Sequence, residues 1–223
     1  MTTKKSGVGR ISSKAVRALN IKKREGMMQD PKSLAEEIAR LEQELREKRE
    51  RLIALKKQLA GEPVRDYTLK SQDGKSVRLS GLFGKHDDLI VIHNMGVSCV
   101  YCTMWADGFN GVVHHLENRA AFVVVSPDTP ATQRAFAQQR GWKFKMYSGE
   151  GSTFIEDMGF KHVNGGRSSW VPGVSTFRRT PDGKIVRIGK DFFGPGDPYC
   201  RVWHLFDLLK DGANGWEPVY KYE

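Results

Sequence analysis

Cysteine is scarce in this sequence. Only Cys99, Cys102 and Cys200 occur among the 223 residues, which is too few for a secreted fold stapled by disulfides and would leave one thiol unpaired. A reducing compartment is the simplest setting for such a chain, and there a close cysteine pair is more often catalytic or metal-binding than structural. We therefore expect a cytoplasmic protein, and the role of the closely spaced pair becomes the main question.

Long apolar runs are also missing. The longest unbroken run covers residues 120–125, whereas a membrane-spanning helix needs about 20 apolar residues. The amino terminus lacks the apolar segment of a secretory signal and is basic instead. The sequence therefore predicts no membrane partner.

Acidic residues are scarce only in the first part of the chain. The net charge is +10, and residues 1–31 hold eight Lys or Arg and two acids, while residues 63–223 hold 20 bases and 17 acids. We predict that residues 1–31 are a disordered basic arm, and we expect at most weak binding to nucleic acid through it. An organelle import peptide remains an alternative reading of the arm, as does a translation start at Met27 or Met28.

Residues 32–62 are predicted to form a long amphipathic helix that ends near Gly61 and Pro63. Its apolar residues follow alternating spacings of four and three, with Lys48 interrupting the pattern: Leu34, Ile38, Leu41, Leu45, Leu52, Leu55 and Leu59. Such a narrow stripe is typical of a coiled coil and suggests a homodimer through this segment. Packing of the helix on its own domain is the alternative.

From residue 63 onward the sequence reads as an α/β domain. Tight turns at Asp73-Gly74 and Asp182-Gly183 predict two hairpins, and the runs "DDLIVIHN" and "AAFVVVS" predict buried strands. Helices are expected after each buried strand, and "CRVWHLFDLLK" is expected to be a closing helix with apolar Val202, Leu205, Phe206, Leu208 and Leu209. This order predicts a thioredoxin-like fold over residues 63–223, with a central mixed sheet flanked by helices.

Particular motifs carry a family resemblance. The segment "SCVYCTMWADGFNG", beginning at Ser98, is similar to the hallmark of the bacterial thioredoxin-like family called domain of unknown function 899. The stretches "DYTLKSQDGKSVRLSGLFGKHDDLIVIHN" and "VVVSPDTPATQRAFAQQRGWKF" resemble thioredoxin-fold peroxiredoxins and disulfide reductases. The resemblance covers about residues 63–210 and implies the fold and the position of a site.

The order of elements predicts the chemistry of the cysteine pair. Cys99 should lie between a buried strand and the amino end of the next helix, where unpaired N–H groups and the helix dipole favour a thiolate. Cys102 should follow on the first helical turn, close enough to displace a mixed disulfide formed at Cys99. We therefore expect Cys99 to attack and Cys102 to resolve, with no cofactor and a protein or small-molecule disulfide or thiol as substrate.

Other roles for the pair remain open. Zinc would need two more ligands, and the adjacent His114 and His115 lack finger spacing. Covalent haem attachment would need a histidine where Thr103 stands. An inert, packed pair is the simplest alternative. We expect no metal.

A thiol peroxidase using the same cysteines is a further alternative. Peroxiredoxins carry proline and threonine seven and three residues before the peroxidatic cysteine. Before Cys99 these positions are Ile92 and Gly96, and before Cys102 they are Met95 and Cys99 itself. The peroxidase pattern is therefore absent. A third alternative is a non-catalytic thioredoxin-fold binding or scaffold protein.

Four further residues are candidate site residues: Val171, Pro172, Trp105 and Asp107. Pro172 matches the position of the cis proline of thioredoxin-like proteins, so we predict a cis Val171–Pro172 bond beside the pair and a free backbone edge there for substrate. Trp105 is a candidate substrate contact, with a place in the core as the alternative. Asp107 is a candidate proton relay, with an exposed or capping carboxylate as the alternative. Cys200 is expected to be a lone thiol or a distant resolving partner.

Overall fold

The structure is a computed structural model that describes residues 30–223. The basic arm predicted over residues 1–31 lies outside the described residues except for its last two. The helices are α1 Pro31–Gln58, α2 Val100–Arg119, α3 Pro130–Arg140, α4 Phe154–Asp157 and α5 Arg201–Phe206, with a 3-10 helix at Leu79–Phe83. The strands are β1 Glu62–Val64, β2 Thr68–Ser71, β3 Ser76–Arg78, β4 Asp88–His93, β5 Ala121–Ser126, β6 Lys145–Ser148, β7 Lys161–Asn164, β8 Arg167–Trp170, β9 Gly173–Arg179 and β10 Ile185–Phe192.

Helix α1 begins with Pro31, a residue suited to the first helical position because its missing N–H would lack a partner there. It runs for 28 residues and none of them is buried. At 1.5 Å per residue this is about 42 Å. The chain divides into two compact units between Lys56 and Lys57, so the predicted boundary at residues 62 and 63 stays a prediction. Glu62 belongs to β1, which pairs with β10.

The predicted mixed sheet is confirmed. Eight strands run in the order β1-β10-β9-β4-β5-β6-β2-β3, and only β4, β5 and β6 are mutually parallel. The first hairpin joins one edge through antiparallel pairing of β2 with β6. The second hairpin, β9 with β10, joins β4 on the other side. Gly74 and Gly183 both adopt positive φ, as the predicted turns require.

Successive side chains of the central strands point to opposite faces of the sheet, so the core forms one cluster on each face. Leu89 and Val91 of β4 pack into one cluster, which includes Phe177. Ile92 packs into the other cluster together with Trp105 of α2. Helix α2 therefore covers one face at the point where β4 ends, which is where the cysteine pair lies.

The carboxyl-terminal part differs from the prediction. Helix α5 ends at Phe206, and Leu205, Leu208 and Leu209 are exposed rather than buried. A small hairpin, β7 with β8, forms a separate two-stranded sheet that the sequence reading did not predict. Its turn is made by Gly165 and Gly166, both with positive φ.

Candidate functional site

The loop between β4 and α2 is held by a buried asparagine. The Asn94 backbone N–H donates to the Val125 carbonyl at 2.8 Å, which continues the β4–β5 pairing for one residue. The Asn94 side chain accepts from the Gly96 N–H at 2.8 Å and donates to the Cys102 carbonyl at 3.4 Å. One side chain therefore ties the strand end to the first turn of the helix.

A second residue, Asp128, fixes this loop from the end of β5. Its Oδ2 accepts from the Val97 N–H at 3.1 Å and from the Ser126 hydroxyl at 2.8 Å. Gly96 has a φ of 106°, and a Cβ there would stand 2.8 Å from Asp128 Oδ1. The turn before the cysteines thus needs glycine for both its backbone angle and its space. Sequence reasoning missed Asp128, whose only local signal was its place just after a buried parallel strand.

Cys99 is the residue that caps helix α2, as the sequence predicted. Its Sγ accepts from the Cys102 backbone N–H at 3.1 Å, and its carbonyl accepts from the Thr103 N–H at 3.0 Å. The pKa of Cys99 is lowered to about 7, first by hydrogen bonding from the Cys102 thiol and then by the N–H groups of Cys102 and Tyr101, against the opposing effect of burial. The Cys99 sulfur is therefore placed to be a thiolate that accepts hydrogen bonds at the amino end of the helix.

Cys102 has the opposite environment. It is buried, at 2% exposure, and its Sγ lies 3.5 Å from the Met95 backbone N–H. The pKa of the Cys102 thiol is strongly raised, because it donates to Cys99 and because burial and the neighbouring negative charge disfavour a second thiolate. Both residues are free thiols in this structure.

The carboxyl-terminal segment also reaches the cysteine loop. The Tyr220 hydroxyl donates to the Val97 carbonyl at 3.0 Å, and Arg140 donates to the Tyr220 carbonyl at 2.7 Å. The pKa of Tyr220 is raised by burial and by the nearby charges of Cys99 and Cys102. The sequence carried no signal for this contact, since it joins positions more than a hundred residues apart.

Aromatic rings line the helix beside the pair. Tyr101 stacks on Trp203 with ring centroids 6.0 Å apart, and Trp105 lies 6.4 Å from the same ring. Trp105 is only 4% exposed, and its indole Nε1 has no hydrogen-bond partner. These contacts match the alternative in which Trp105 is part of the core, and its role as a substrate contact stays a prediction.

Asp107 is engaged away from the sulfurs. Its carboxylate forms an ion pair with Arg140 and accepts from the Trp142 indole N–H at 2.8 Å. Because Arg140 also holds the Tyr220 carbonyl, Asp107 anchors the residue that clamps the carboxyl-terminal segment. A proton relay through Asp107 stays a prediction.

The prediction of a cis Val171–Pro172 bond was wrong, since the described residues contain no cis peptide bond. The Val171 N–H donates to the Phe160 carbonyl at 2.8 Å, and the Pro172 carbonyl accepts from the Phe193 N–H at 2.9 Å. These two backbone groups are therefore paired within the chain. The predicted substrate-binding role of Val171 and Pro172 stays a prediction.

Cys200 is buried at 5% exposure within the cluster that includes Trp105. Burial raises the pKa of its thiol. Its suggested part as a distant resolving cysteine stays a prediction.

With the site described, comparison with known proteins identifies the family. The family described as "Bacterial protein of unknown function (DUF899)" matches residues 27–221. The chain belongs to this family. The resemblance expected from the segment around Cys99 and Cys102 is thereby confirmed.

Curated relatives come from the peroxiredoxins. The chloroplastic peroxiredoxin Q of Populus jackii is 29% identical over 136 residues, which are 60% of this chain and 62% of that protein. The chloroplastic peroxiredoxin Q of Gentiana triflora is 28% identical over 130 residues, 58% of each chain. The match therefore spans about three fifths of the length of these relatives.

Solved structures of peroxiredoxins are similar to this chain, and the match to Prx3 shows the fold. Reduced Prx3 from Vibrio vulnificus, in complex with hydrogen peroxide, matches with a TM-score of 0.50 and 12% identity, covering 62% of this chain and 90% of that one. Peroxidoxin BcpB from Mycobacterium tuberculosis matches with a TM-score of 0.45 and 27% identity, covering 56% and 80%. The thioredoxin-type fold expected from the sequence is confirmed.

Within residues 30–223, no three His, Cys, Asp or Glu side chains are grouped to hold a metal ion. Among the helices of that same range, none is both long and apolar enough to cross a membrane.

Proposed function

We propose that this protein is a thiol-based redox enzyme in which Cys99 attacks the substrate and Cys102 resolves the intermediate. The observation that supports this assignment is the position of the Cys99 sulfur at the amino end of helix α2. The sulfur caps the helix by accepting the N–H of Cys102 at 3.1 Å, whereas Cys102 is buried inside the first turn of the same helix. The two sulfurs therefore have different environments.

This asymmetry suits the two roles. With a pKa of about 7, a large share of Cys99 is thiolate at neutral pH, whereas a free thiol titrates near about 8.5. Cys102 stays protonated and buried until Cys99 has reacted. Once the negative charge on Cys99 is consumed, the pKa of Cys102 falls, because part of its elevation comes from that charge.

Disulfide reduction would proceed in two exchanges. The Cys99 thiolate attacks one sulfur of the substrate disulfide, a mixed disulfide forms, and the other substrate sulfur leaves as a thiolate. Cys102 gives up its proton to that thiolate or to solvent and attacks the Cys99 sulfur. The substrate leaves as its second thiolate, having gained two electrons, and the enzyme holds a Cys99–Cys102 disulfide. An external dithiol then reduces this disulfide.

Peroxide reduction is the second candidate, and the names of the curated relatives favour it. The Cys99 thiolate would attack a peroxide oxygen, the O–O bond would break, and Cys99 would become a sulfenic acid as water or an alcohol leaves. Cys102 would then condense with it, releasing water and forming the same disulfide. A dithiol reductant is again required.

Activity assays on cysteine variants distinguish these two enzymatic reactions from a non-catalytic role of the protein. Dithiol-dependent reduction of insulin and of hydrogen peroxide is measured for the wild type, Cys99→Ser and Cys102→Ser. We expect Cys99→Ser to abolish turnover of whichever substrate is used and Cys102→Ser to trap a mixed disulfide or a sulfenic acid at Cys99. Cys200→Ser serves as the matched thiol control and should retain turnover. Wild-type protein with neither activity, or turnover surviving in Cys99→Ser, would refute the proposal.

A further inference from the structure

Helix α1, together with Leu59 just beyond its last residue, displays an exposed apolar stripe. The stripe residues are between 44% and 73% exposed: Leu34, Ile38, Leu41, Leu45, Leu52, Leu55 and Leu59. Together with Lys48 they form the seam of the helix. Isolated helices are marginal in water, and in proteins most helical stability comes from burying one face. The seam therefore needs a partner.

We propose that the partner is α1 of a second copy of this chain, and that the two helices pair in antiparallel orientation. The positions of the seam allow this pairing without an overhang, because each seam residue of one copy finds a seam residue of the other. The layers are Leu34 with Leu59, Ile38 with Leu55, Leu41 with Leu52, and Leu45 with Lys48.

The charged residues beside the seam complement one another in this orientation. Glu42 of one copy is the neighbour of Arg49 of the other on one side of the seam, and Glu44 is the neighbour of Arg51 on the other side, each pair offset by two residues from level. By symmetry each contact occurs twice, so four pairs of opposite charge flank the core and none of these is a pair of like charges. Flanking charges of this kind set partner choice and orientation in coiled coils.

A parallel pair would meet like charges instead. The residues that flank a parallel seam and face each other are Glu37 with Glu42, Glu44 with Arg49, and Arg51 with Lys56. Only the middle combination is attractive, and the two outer ones repel. Acidic residues dominate the first half of the helix and basic residues the second, so only reversal of one helix brings unlike halves together.

Lys48 gives an independent reason for the same orientation. In a parallel pair the two Lys48 side chains would face each other across the core, where burying like charges is costly. In the antiparallel pair each Lys48 packs its methylene stem against Leu45 of the other copy and can extend its ammonium group to the edge of the seam. The structure already orients it outward, since Lys48 Nζ lies 3.7 Å from Glu44 Oε2 on its own helix.

The distance between identical positions in the two copies tests the orientation. A nitroxide label at Glu36→Cys, in a chain with Cys99, Cys102 and Cys200 changed to serine, is measured by pulsed electron spin resonance. In the antiparallel pair residue 36 lies level with residue 57 of the other copy, so the labels are separated along the axis by about 31 Å at 1.5 Å per residue. A parallel pair leaves no axial separation, and the labels then lie within about 20 Å, given helix axes 8–10 Å apart.

A second experiment leaves the native cysteines in place. Arg49→Glu/Arg51→Glu converts all four attractive contacts into repulsive ones, and we expect the dissociation constant of the dimer to rise at least about tenfold at low salt, with a smaller change at high salt. The matched control is Arg46→Glu/Lys57→Glu, which changes the net charge equally on the outer face and should leave the dissociation constant nearly unchanged. In a parallel dimer the Arg49→Glu/Arg51→Glu change would instead gain one attractive contact for each one lost.

The outcomes are distinct. Three results would support the proposal. The protein sediments as a dimer, and the labels are separated by about 31 Å along the axis. The dissociation constant rises for Arg49→Glu/Arg51→Glu but not for the control variant. A monomeric full-length chain at micromolar concentration, a short label distance, or equal effects of the two charge variants would overturn it. Because none of these readouts uses turnover, failure here leaves the proposed redox function untouched.

Discussion

The hydroxyl of Tyr220 donates a hydrogen bond to the backbone carbonyl of Val97, two residues before Cys99, at a distance of 3.0 Å. A residue near the end of the chain is therefore part of the surroundings of the cysteine loop. Arg140 fixes it by donating to the Tyr220 carbonyl, and Asp107 fixes Arg140 in turn. The site is thus assembled from a loop, two helices and the carboxyl-terminal segment.

Tyr220→Phe should loosen this loop. Loss of one partly exposed hydrogen bond should cost about 0.5–1 kcal/mol, and because 1.4 kcal/mol is a factor of ten, opening of the loop should become about two- to fivefold easier. We expect alkylation of Cys99 by iodoacetamide to accelerate by that factor. Tyr222→Phe is the matched control, since the Tyr222 hydroxyl contacts only the nearby Val219 N–H among the hydrogen bonds described. Equal rates in the two variants would show that Tyr220 does not restrain the loop.

Gly96→Ala should destabilise the protein. Its φ of 106° is unfavourable for alanine, and the new Cβ would stand 2.8 Å from Asp128 Oδ1, so we expect a loss of about 1–3 kcal/mol in the free energy of unfolding. Gly108→Ala is the control, because that glycine lies inside α2 with nothing within 4 Å of an added Cβ. It should stabilise the helix by about 0.5–1 kcal/mol. Urea unfolding of both variants measures the difference, and a neutral Gly96→Ala would contradict the described loop.

His93 should make the protein acid-sensitive. It is 1% exposed, it stacks on Phe160, and burial followed by the charges of Arg187 and Lys190 holds its pKa well below 6.5. The folded state then binds fewer protons than the unfolded state once the pH falls below the unfolded value. Stability is therefore full above pH 6.5 and declines below it, by up to about 1.4 kcal/mol per pH unit.

The check is the free energy of unfolding between about pH 6.5 and 5, a window that opens at the histidine pKa of the unfolded chain. His93→Gln should show a shallower slope than wild type in this window. Identical slopes in wild type and His93→Gln would mean that His93 is not held neutral by its surroundings.

Removing the donor at position 102 should raise the pKa of Cys99. Cys102→Ala deletes the thiol that makes the largest contribution to lowering this pKa but keeps the backbone N–H groups. Cys102→Ser retains a hydroxyl donor in the same position. We expect the alkylation midpoint of Cys99 to move toward the free-thiol value of about 8.5 in Cys102→Ala and to move less in Cys102→Ser. Equal midpoints would assign the lowered pKa to the helix end alone.

Much of the fold could be predicted because its signals are local. The Asp73-Gly74 turn specifies a hairpin through the positive φ of Gly74, and β4 and β5 are short apolar runs bounded by polar residues. The position of Cys99 at the start of a helix follows from the same order of elements. These features depend on residues that are neighbours in sequence.

The rest depends on contacts between distant parts of the chain. Asp128 reaches Val97 from 31 residues further along the chain and Tyr220 from 123 residues further along, and no spacing rule predicts either contact. The cis prediction at Pro172 was wrong. The pairing of the Pro172 carbonyl with the Phe193 N–H is a further contact that only the folded sheet reveals. The leucines after α5 follow an apolar pattern, yet they are exposed.

The pH dependence of alkylation in the wild-type protein tests the central claim most directly. Limiting iodoacetamide is applied to the reduced protein across pH 5–10, and the modified cysteine is identified by peptide mass. The described hydrogen bonds predict that Cys99 is modified first, with a midpoint near the pKa of about 7, while Cys102 and Cys200 remain protected by burial. Modification of Cys102 before Cys99, or a Cys99 midpoint at the free-thiol value of about 8.5, would contradict the assignment of Cys99 as the attacking thiolate.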